Sequence, residues 1–426
     1  MESFADQSAT IGTVFPTENA PGPRASRLIF AVNLSIAVLL VAVMAAAYWY
    51  AWRPLPETSG TITAPVSAEA RIVRDAIGVP HIQAASWEDA VFLQGYAMAQ
   101  DRLWQMDGMR RRAAGELAEV AGPAAVASDL ESRRMALRGT AEALERNLRS
   151  DERALFAAFA RGVNRFLSSH RDRLPLEFAL LRYDPRPWTV RDSLLAGLEM
   201  YRTLSNSWRN ELAKRAVLQA GGRDKADYLY PVRTGSDPQP GSNAWAVAGG
   251  KTASGKPILA NDPHLEYSLP SPWYLVHLQA PGLNVTGATI VGLPAVIIGH
   301  NDRIAWGVTN LQFDVQDLFA VSGGSQVNVQ QSAIAVRGAR PTPLALGFSR
   351  NRAVLAAEGS EQYSLQWTAS QPGGFAFPFL DIDRARNWTE FRAALERFGG
   401  PGQNFVYADV EGNIGDRKST RLNSSH

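Results

Sequence analysis

Hydrophobic and polar positions divide the chain into a helix-rich part followed by a strand-rich part. Residues 86–109 follow a helical period, and Ser86 with Asp89 forms the capping signal that opens it. Helical periodicity continues from 140 to 220, with breaks at Pro175 and at 184–187. Short strand-type runs punctuated by glycine and proline then take over, at 245–248, 276–279, 285–291, 295–298 and 305–309. This order predicts an α+β protein.

An uncharged stretch stands near the N-terminus. Residues 28–52 contain no charged side chain, Arg24 and Arg27 precede them, and aromatic residues cluster at the far end. The stretch is long enough to span a bilayer and longer than the apolar part of most cleaved signals. The arginines predict an N-in orientation. We therefore expect a transmembrane anchor in the inner membrane and an exported, periplasmic domain. A cleaved signal peptide is the second alternative and a buried core helix the third.

Composition narrows the possible functions. The 426 residues suffice for more than one folding unit. The net charge of +2, with no basic stripe and interleaved aromatic residues, gives no indication of nucleic-acid binding. The absence of cysteine excludes disulfides, thiol catalysis and cysteine-ligated zinc. Gly-Lys-Thr at 250–252 is not a P-loop, because Trp245 stands where the first glycine belongs. We expect no organic cofactor.

These patterns divide the chain into segments. Residues 1–27 are expected to be a disordered cytoplasmic tail, 28–52 the anchor or signal, and 53–65 a polar linker. The helix-rich part covers 66–226 and the strand-rich part 242–415. Residues 416–426 break from the preceding pattern and back-translate, with suitable codons, into a common sequencing adapter. We exclude them from the fold and expect the natural protein to continue past Gly415, which would make this chain a truncated precursor.

The segment Gly-Ser-Asn-Ala-Trp-Ala-Val at 241–247 holds the main candidate for chemistry. If the bond between Gly241 and Ser242 is cut, Ser242 gains a free α-amine beside its hydroxyl. An α-amine titrates near about 7.7–8, so an appreciable fraction is an unprotonated base at neutral pH. Nucleophile and base then lie on one residue. Glycine also tolerates the strained backbone that attack on the preceding carbonyl requires. The alternative is a Gly-Ser turn that leads into a strand.

Several runs together resemble the penicillin acylase family of N-terminal nucleophile hydrolases. They lie in the family's order and cover about residues 65–415, at 75–82, 94–106, 241–247, 261–265, 299–301, 305–310 and 403–409. The resemblance implies a four-layer αββα fold, preceded here by the transmembrane helix. It also implies a precursor that cleaves itself between Gly241 and Ser242 and releases a spacer, which we place at 227–241. The product would be an α/β heterodimer with Ser242 as its nucleophile.

The resemblance assigns further catalytic residues. The backbone N–H of Asn310 and the side-chain amide of Asn404 would hold the tetrahedral oxyanion, a role in which one fixed donor contributes about 3–4 kcal/mol. His264 would hydrogen-bond the serine amine or hydroxyl. The alternatives are a turn asparagine at 310, a strand-capping asparagine at 404 and a structural histidine at 264.

The resemblance also implies a structural calcium ion. Glu211, Asp314, the carbonyl of Gln316 and Asp317 fall where family members bind it, and carboxylate and carbonyl oxygens suit a hard cation. Such an ion would hold the two fragments together after cleavage. The alternative is a solvated acidic loop with an unrelated helix glutamate. No catalytic metal is implied.

The expected activity is hydrolysis of a linear amide in a small N-acyl compound, through an acyl-enzyme on the N-terminal serine. N-acyl-homoserine lactones or related acyl amides are the leading substrates, and β-lactam antibiotics come second. Leu204 and Ser205 align with the arginine–phenylalanine gate of penicillin G-type enzymes, which predicts a more open, aliphatic acyl pocket with Trp208 in part of the space. A non-catalytic exported binding or envelope module that keeps the fold, or an inactive fragment, are the alternatives. Self-cleavage distinguishes the enzyme from the binder.

Overall fold

The structure is a computed structural model that describes residues 23–205, 207–231, 241–311, 313–321, 326–350, 352–358 and 361–419. The chain divides into two units, Met1–Leu55 and Pro56–His426.

The first unit is a long apolar helix. Helix α1 spans Pro23–Ala47, and one wide helical turn, Tyr48–Trp52, extends it. Proline suits the first helical position, where an N–H would have no acceptor. Residues 23–27 are therefore helical rather than part of a disordered tail, and residues 1–22 lie outside the described residues. The span Ser26–Trp52 has a mean hydropathy of 2.7 and is exposed within the structure. Length and composition allow this helix to cross a membrane, and a signal sequence would meet the same criteria.

The second unit combines helices and strands, as the hydrophobic pattern predicts. Within the described residues its helices are α2 (Trp87–Ala114), α3 (Ala118–Ala121), α4 (Val126–Arg134), α5 (Leu137–Asn147), α6 (Ser150–Ser169), α7 (Leu176–Leu180), α8 (Val190–Ser205), α9 (Trp208–Gly221), α10 (Arg223–Leu229), α11 (Phe379–Ile382) and α12 (Trp388–Leu395). Its strands are β1 (Arg71–Arg74), β2 (Pro80–Gln83), β3 (Asn243–Val247), β4 (Ile258–Asp262), β5 (Trp273–Ala280), β6 (Leu283–Ile290), β7 (Ile298–Asn301), β8 (Ile304–Asn310), β9 (Gln316–Ala320), β10 (Val327–Ile334), β11 (Thr342–Ser349), β12 (Arg352–Glu358), β13 (Glu361–Trp367), β14 (Gln403–Asp409) and β15 (Ile414–Ser419).

The strands of the described residues form three sheets. The largest has the order β1-β2-β5-β6-β7-β8-β14-β15, and its only parallel pair among the described strands is β2 with β5. A second sheet has the order β10-β11-β12-β13-β9, and β3 pairs with β4 as a separate hairpin. The parallel pair connects the helix-rich part of the chain to the strand-rich part, because β2 precedes the helices and β5 follows Ser242.

Helices α2 and α6 form the centre of the helical layer. Their backbones touch at two glycines: a Cβ on Gly95 would lie 2.2 Å from the carbonyl oxygen of Phe159, and one on Gly162 would lie 1.8 Å from that of Phe92. Side chains of both helices join those of β5, β6, β8 and β14 in one hydrophobic core. The side chain of Ser86 accepts the N–H of Asp89 at 3.1 Å, so the predicted cap opens α2.

The β3–β4 hairpin lies on the opposite face of the large sheet. Trp306 and Val308 point into the helix-side core, whereas a Cβ on Gly307 would lie 2.7 Å from Cβ of Asn261 in β4. Helices, sheet and hairpin therefore follow one another as three layers in this region. The complete four-layer αββα order stays a prediction.

Three segments differ from the boundaries that the sequence suggests. The strand expected at 295–298 begins only at Ile298, because Ala295 has a φ of +73° and pairs its backbone N–H and C=O with the side chain of Gln94. Helix α10 runs past residue 226, and residues 232–240 of the predicted spacer lie outside the described residues. Residues 416–419 extend β15, which pairs with β14. The edge strand of a sheet pairs through its backbone N–H and C=O groups and accepts many different side chains in its partner. This pairing is therefore compatible with both a natural and an artificial origin of residues 416–426.

Candidate active site

Ser242 lies directly before β3, where the hairpin register places it beside the end of β4. Asn243 pairs with Asp262, so the residue before β3 faces the residues after β4. The backbone N–H of His264 donates to the Ser242 Oγ, at 3.2 Å. A hydroxyl that accepts one bond keeps its own proton available to a base. The serine is half-buried, so it is neither a core residue nor a freely exposed one.

The imidazole of His264 does not make the contact that the sequence led us to expect. Its Nε2 pairs with Asp262 Oδ2 at 2.8 Å, and the ring is 48% exposed. The contact with Ser242 is made by the backbone instead, because the hairpin register brings the main chain at 264 opposite the serine. In this structure His264 therefore supplies a backbone donor rather than a base.

The side chain of Asn261 fixes the hairpin to strand β8. Its Nδ2 donates to the carbonyl oxygens of Asn243 and Val308, both at 2.9 Å, and its Oδ1 accepts the N–H of Val308 at 2.9 Å. One amide thus takes the place of a neighbouring strand at this point of β8. It also holds the residue that follows Ser242. Asn261 is part of a family-like run, but the sequence gives no local signal for this contact.

Asn310 is the last residue of β8 and follows the segment that Asn261 binds; the three hydrogen bonds of the Asn261 side chain are called the Asn261 clamp below. Leu311 donates to the carbonyl of Gly402 in the ladder with β14, whereas the N–H of Val308 faces Asn261. Because alternate N–H groups of a strand point to opposite sides, the N–H of Asn310 points to the same side as that of Val308, where the hairpin with Ser242 lies. Its side chain is held separately: Nδ2 donates to the Leu204 carbonyl at 3.0 Å, and Oδ1 accepts from Gln403 at 3.1 Å.

Asn404 lies within β14 rather than at a strand cap. It pairs with Thr309, so its side chain lies on the sheet face of Gly307, which is the hairpin face. Its Oδ1 is buried without a hydrogen-bond partner among the described residues. Asn404 is not among the residues that line the pocket beside Ser242, whereas Gln403 is. The structure therefore brings Ser242 and Asn310 together but leaves the role of Asn404 as a prediction.

An apolar pocket opens beside Ser242. Its empty volume is about 770 Å³ including the mouth, and its lining combines Ser242 and Asn310 with aliphatic and aromatic side chains. The helical part contributes Gly197, Met200, Tyr201 and Leu204, and the hairpin end contributes Pro263 and Leu265. A pocket of this size and character suits the acyl part of a small molecule.

The sequence did not reveal the aromatic wall of this pocket. Phe375, Phe377, Phe379 and Phe398 line it, and Trp208 does not. Leu204 lines the pocket as expected, but the space is aromatic as well as aliphatic. The alternation of phenylalanines at 375, 377 and 379 was the available signal, although alternation alone does not tell a pocket wall from a core strand.

Three carboxylates come together at a second place. Ligand oxygens of Glu211, Asp314 and Asp317 all lie within 4.8 Å of one another. Burial, together with the carboxylates of Asp314 and Asp317, raises the pKa of Glu211 to about 7, although its Oε2 accepts the N–H of Leu318 at 3.0 Å. The other oxygen, Oε1, is buried without a hydrogen-bond partner among the described residues. A cation would relieve both the repulsion and the missing partner.

Gln316 supports this cluster through its side chain and its backbone. Its Oε1 accepts the N–H groups of Ser207 and Trp208, at 2.9 and 3.2 Å, where α8 gives way to α9. The backbone carbonyl of Val315 accepts the N–H of Thr368. Because successive carbonyls of a strand point to opposite sides, the carbonyl of Gln316 points to the other side, where the N–H of Leu318 donates to Glu211. The four residues that the sequence singled out are thus adjacent, and their oxygens fit a hard divalent cation such as calcium.

Comparison with known proteins finds relatives that are named as acylases. The family model described as "Penicillin amidase" matches residues 69–423 of this chain. The acyl-homoserine lactone acylase QuiP of Pseudomonas aeruginosa is 31% identical, over 86% of this chain and 52% of its own length. Penicillin acylase 2 proenzyme of Pseudomonas sp. SE83 is 32% identical, over 87% of this chain and 55% of its own. A solved thermostable penicillin G acylase from Alcaligenes faecalis is 28% identical, covering 40% of this chain and 96% of that chain, with a TM-score of 0.35. The chain spans about half the length of the curated relatives it matches.

Proposed function

Because the chain belongs to the penicillin amidase family, we propose that it is the precursor of a self-processing acylase that hydrolyses linear amides of small N-acyl compounds. The observation that supports this most directly is Ser242 at the mouth of an apolar pocket, with the N–H of His264 on its hydroxyl. In the uncut chain the nitrogen of Ser242 is an amide, so cleavage after Gly241 is what creates the base.

The proposed mechanism uses the two functional groups of Ser242. After cleavage, the α-amine takes the hydroxyl proton, through a water molecule, while the oxygen attacks the substrate carbonyl. The N–H of His264 stabilises the oxygen as its negative charge develops. The α-ammonium then gives its proton to the leaving nitrogen as the C–N bond breaks, so that the amine product leaves and the acyl-enzyme remains with its acyl chain in the pocket. Water, activated by the same α-amine, finally attacks the ester and releases the acid and the serine hydroxyl.

The oxyanion of the tetrahedral intermediate needs fixed donors. We assign the Asn310 N–H, because strand alternation turns it toward the side that holds Ser242. Asn404 remains the proposed second donor, from the hairpin face of β14. Neutral donors in a water-poor pocket act on charge that exists only during the reaction, which is why each is expected to affect kcat more than KM.

A calcium ion at Glu211, Asp314, Asp317 and the Gln316 carbonyl would hold the two fragments together. Glu211 lies on α9, before the proposed cleavage, and the other ligands follow it. The ion would let Glu211 remain ionised in a buried place. We propose a structural role, since neither Glu211 nor Asp314 lines the pocket of Ser242.

The mature protein is proposed to be an α/β heterodimer in the periplasm, held at the inner membrane by α1. Its aromatic end, Tyr48–Trp52, suits the membrane interface. Release by signal cleavage is the alternative. A fractionation experiment with the enzyme in the membrane pellet, and in the soluble fraction once residues 1–53 are removed, would support the anchor.

N-acyl-homoserine lactones or related acyl amides are the proposed substrates, and β-lactams the second candidates. Both rest on what the relatives are named for. The pocket admits either an alkyl chain or an aromatic ring, because its walls contain both types of side chain. Hydrolysis of acyl-homoserine lactones of graded chain length should be measured beside penicillin G, with the Ser242→Ala variant in parallel. Unchanged hydrolysis by Ser242→Ala would contradict the proposed nucleophile.

A non-catalytic binding or envelope module is the competing proposal. It predicts a folded chain that stays uncut and binds acyl compounds in the same pocket. An inactive fragment predicts a chain that neither folds nor turns over. Circular dichroism together with the mass of the chain separates the three outcomes.

A further inference from the structure

Two histidines face each other across the parallel pair of strands β2 and β5. His81 and His277 are register partners, and their Nδ1 atoms lie 2.9 Å apart. The rings are nearly perpendicular, with centroids 5.1 Å apart. They lie outside the Ser242 pocket and the carboxylate cluster, and the mechanism above uses neither.

The outer nitrogen of each ring faces an acceptor. Asn284 Nδ2 donates to Asp302 Oδ1 at 2.6 Å, which orients the amide so that its Oδ1 faces His277 Nε2 at 2.8 Å. His277 Nε2 must then carry a proton.

On the other ring, His81 Nε2 lies 3.6 Å from Asp75 Oδ2. The other oxygen of that carboxylate accepts the N–H groups of Ile77 and Val79, at 3.0 and 2.9 Å. The carboxylate is thereby held in place beside the ring, and it favours a proton on His81 Nε2.

The inner nitrogens then have no proton of their own to share. A neutral imidazole protonated at Nε2 presents a lone pair at Nδ1, so two lone pairs face each other at 2.9 Å. A proton shared between the two Nδ1 atoms or a cation bound by both lone pairs would stabilise this arrangement. A ring N–H that is held by a carboxylate or a carbonyl oxygen is also usual in metal-ligating histidine. His277 has this support at 2.8 Å, whereas His81 Nε2 faces Asp75 Oδ2 at 3.6 Å, slightly beyond hydrogen-bond distance.

We propose that His81 and His277 form a binding site for a divalent transition-metal ion of the Ni²⁺, Cu²⁺ and Zn²⁺ group. Two nitrogens 2.9 Å apart, each about 2.0–2.1 Å from one ion, subtend an angle of about 90° at it. This is the angle between adjacent ligands of a tetragonal centre, and a separation a few tenths of an ångström wider would give a tetrahedral one. Water completes the coordination, since His81 is 36% exposed.

The site would connect the two parts of the chain. His81 lies before the helices and His277 after Ser242, so the ion would crosslink β2 to β5. The ion would join two separate chains only if the proposed cleavage at Ser242 takes place, and this part of the inference rests on the proposed function. The binding itself does not, because both histidines are paired in the uncut chain.

Zn²⁺ titration by calorimetry tests the proposal. The sample should be prepared without a histidine tag and saturated with Ca²⁺, so that Ca²⁺ rather than Zn²⁺ occupies the carboxylate cluster. The Ser242→Ala background keeps the chain uncut and without a free α-amine at 242, which separates this test from that of the proposed function. We expect one Zn²⁺ site that His81→Gln and His277→Gln each weaken by at least about tenfold.

Two further variants sharpen the result. Asn284→Ala should weaken Zn²⁺ binding by about 10–100-fold, because Asn284 only orients His277. His300→Gln removes an exposed histidine on the same sheet face, separated from His277 by Thr286 in one cross-strand row, and should leave the titration unchanged. Equal Zn²⁺ binding in all variants, or none in the parent, would overturn the proposal, and the second result would leave a shared proton between the rings.

X-ray absorption on the Ni²⁺-loaded parent protein does not depend on the variants folding. Two imidazole ligands per ion are expected. A spectrum without imidazole scattering, or with carboxylate oxygens alone, would overturn the proposal.

Discussion

The pocket beside Ser242 and the carboxylate cluster at Glu211 share two short stretches of chain, yet they are built from opposite kinds of group. The end of β8 gives Asn310 to the pocket, and the start of β9 gives Gln316 to the cluster. The α8–α9 junction supports both, through the Leu204 carbonyl and the Ser207 N–H.

The difference lies in charge. The pocket holds a neutral hydroxyl, backbone N–H groups and amide side chains, which respond to a negative charge that appears only during the reaction. The cluster holds permanent negative charge that raises the pKa of Glu211 and leaves one of its oxygens buried without a partner among the described residues. We therefore expect mutations in the pocket to change activity and mutations in the cluster to change stability.

The largest expected effect after the nucleophile itself concerns the second oxyanion donor. Asn404→Ala should lower kcat of the mature enzyme by about 10²–10³-fold with little change in KM, because the donor acts on the transition state. Gln403→Ala, in the same strand, tests the alternative donor, because its amide lines the pocket and donates to Asn310 Oδ1 at 3.1 Å. Steady-state kinetics on both variants would decide between them, and a larger loss in Gln403→Ala would transfer the role to the amide that lines the pocket.

Loss of the Asn261 clamp should be the next largest effect. Asn261→Ala removes the three hydrogen bonds that tie Asn243 and Val308 together, so Ser242 is held less accurately. We expect kcat to fall by about 10²-fold, the cost of a displacement of about 1 Å. Asn328→Ala, at an exposed strand position, is the control. Normal kinetics in Asn261→Ala would show that the hairpin positions the serine without the clamp.

A smaller effect is expected where Gly197 and Phe375 line the pocket. A Cβ on Gly197 would lie 2.7 Å from Cζ of Phe375, so Gly197→Ala should push the ring into the acyl space. Hydrolysis of the longest accepted acyl chain should fall by about tenfold relative to short chains. Gly139→Ala, a helical glycine with open space around it, is the control. An unchanged chain-length profile would place the acyl chain elsewhere.

The cluster should affect stability without a comparable effect on kcat. The pKa of Glu211 is about 7 in the folded protein, above its ordinary value of 4.5, so the metal-free folded state holds the proton more tightly than the unfolded chain. Stability should therefore fall as pH rises between about 4.5 and 7, and calcium should remove this loss by keeping the carboxylate ionised.

Melting curves with EDTA and with Ca²⁺ across this pH range test the prediction. Glu211→Gln should abolish the calcium response and the part of the pH dependence that calcium suppresses, lowering the melting temperature in calcium by about 2–4 °C per kcal/mol lost. A calcium response that survives in Glu211→Gln would place the ion at another site.

Local sequence patterns predicted the elements well, because caps and strand alternation act over a few residues. Ser86 opens α2, and strand-type runs mark β3, β5, β6 and β8. Contacts between distant residues left no such pattern. The pairing of Gln94 with Ala295 displaced a predicted strand, and the amide of Asn261 bridges a hairpin to a sheet.

The candidate site was predictable to the extent that motif residues carry it. Ser242 and Asn310 do line one pocket, and Glu211, Asp314 and Asp317 do lie together. The backbone contact of His264 and the histidine pair at 81 and 277 depend on strand register, which the sequence does not specify. The phenylalanine wall depends on how the irregular segment before α11 meets the segment after α12, where Ala376 bridges to Gly399.

The most direct test of the central claim is the N-terminal sequence and intact mass of the protein purified from its own cells, with Ser242→Ala expressed in parallel. We expect a fragment that begins Ser-Asn-Ala-Trp in the natural protein and an uncut chain in the variant. A folded natural protein that stays uncut at Gly241, or a variant cut at the same bond, would contradict it.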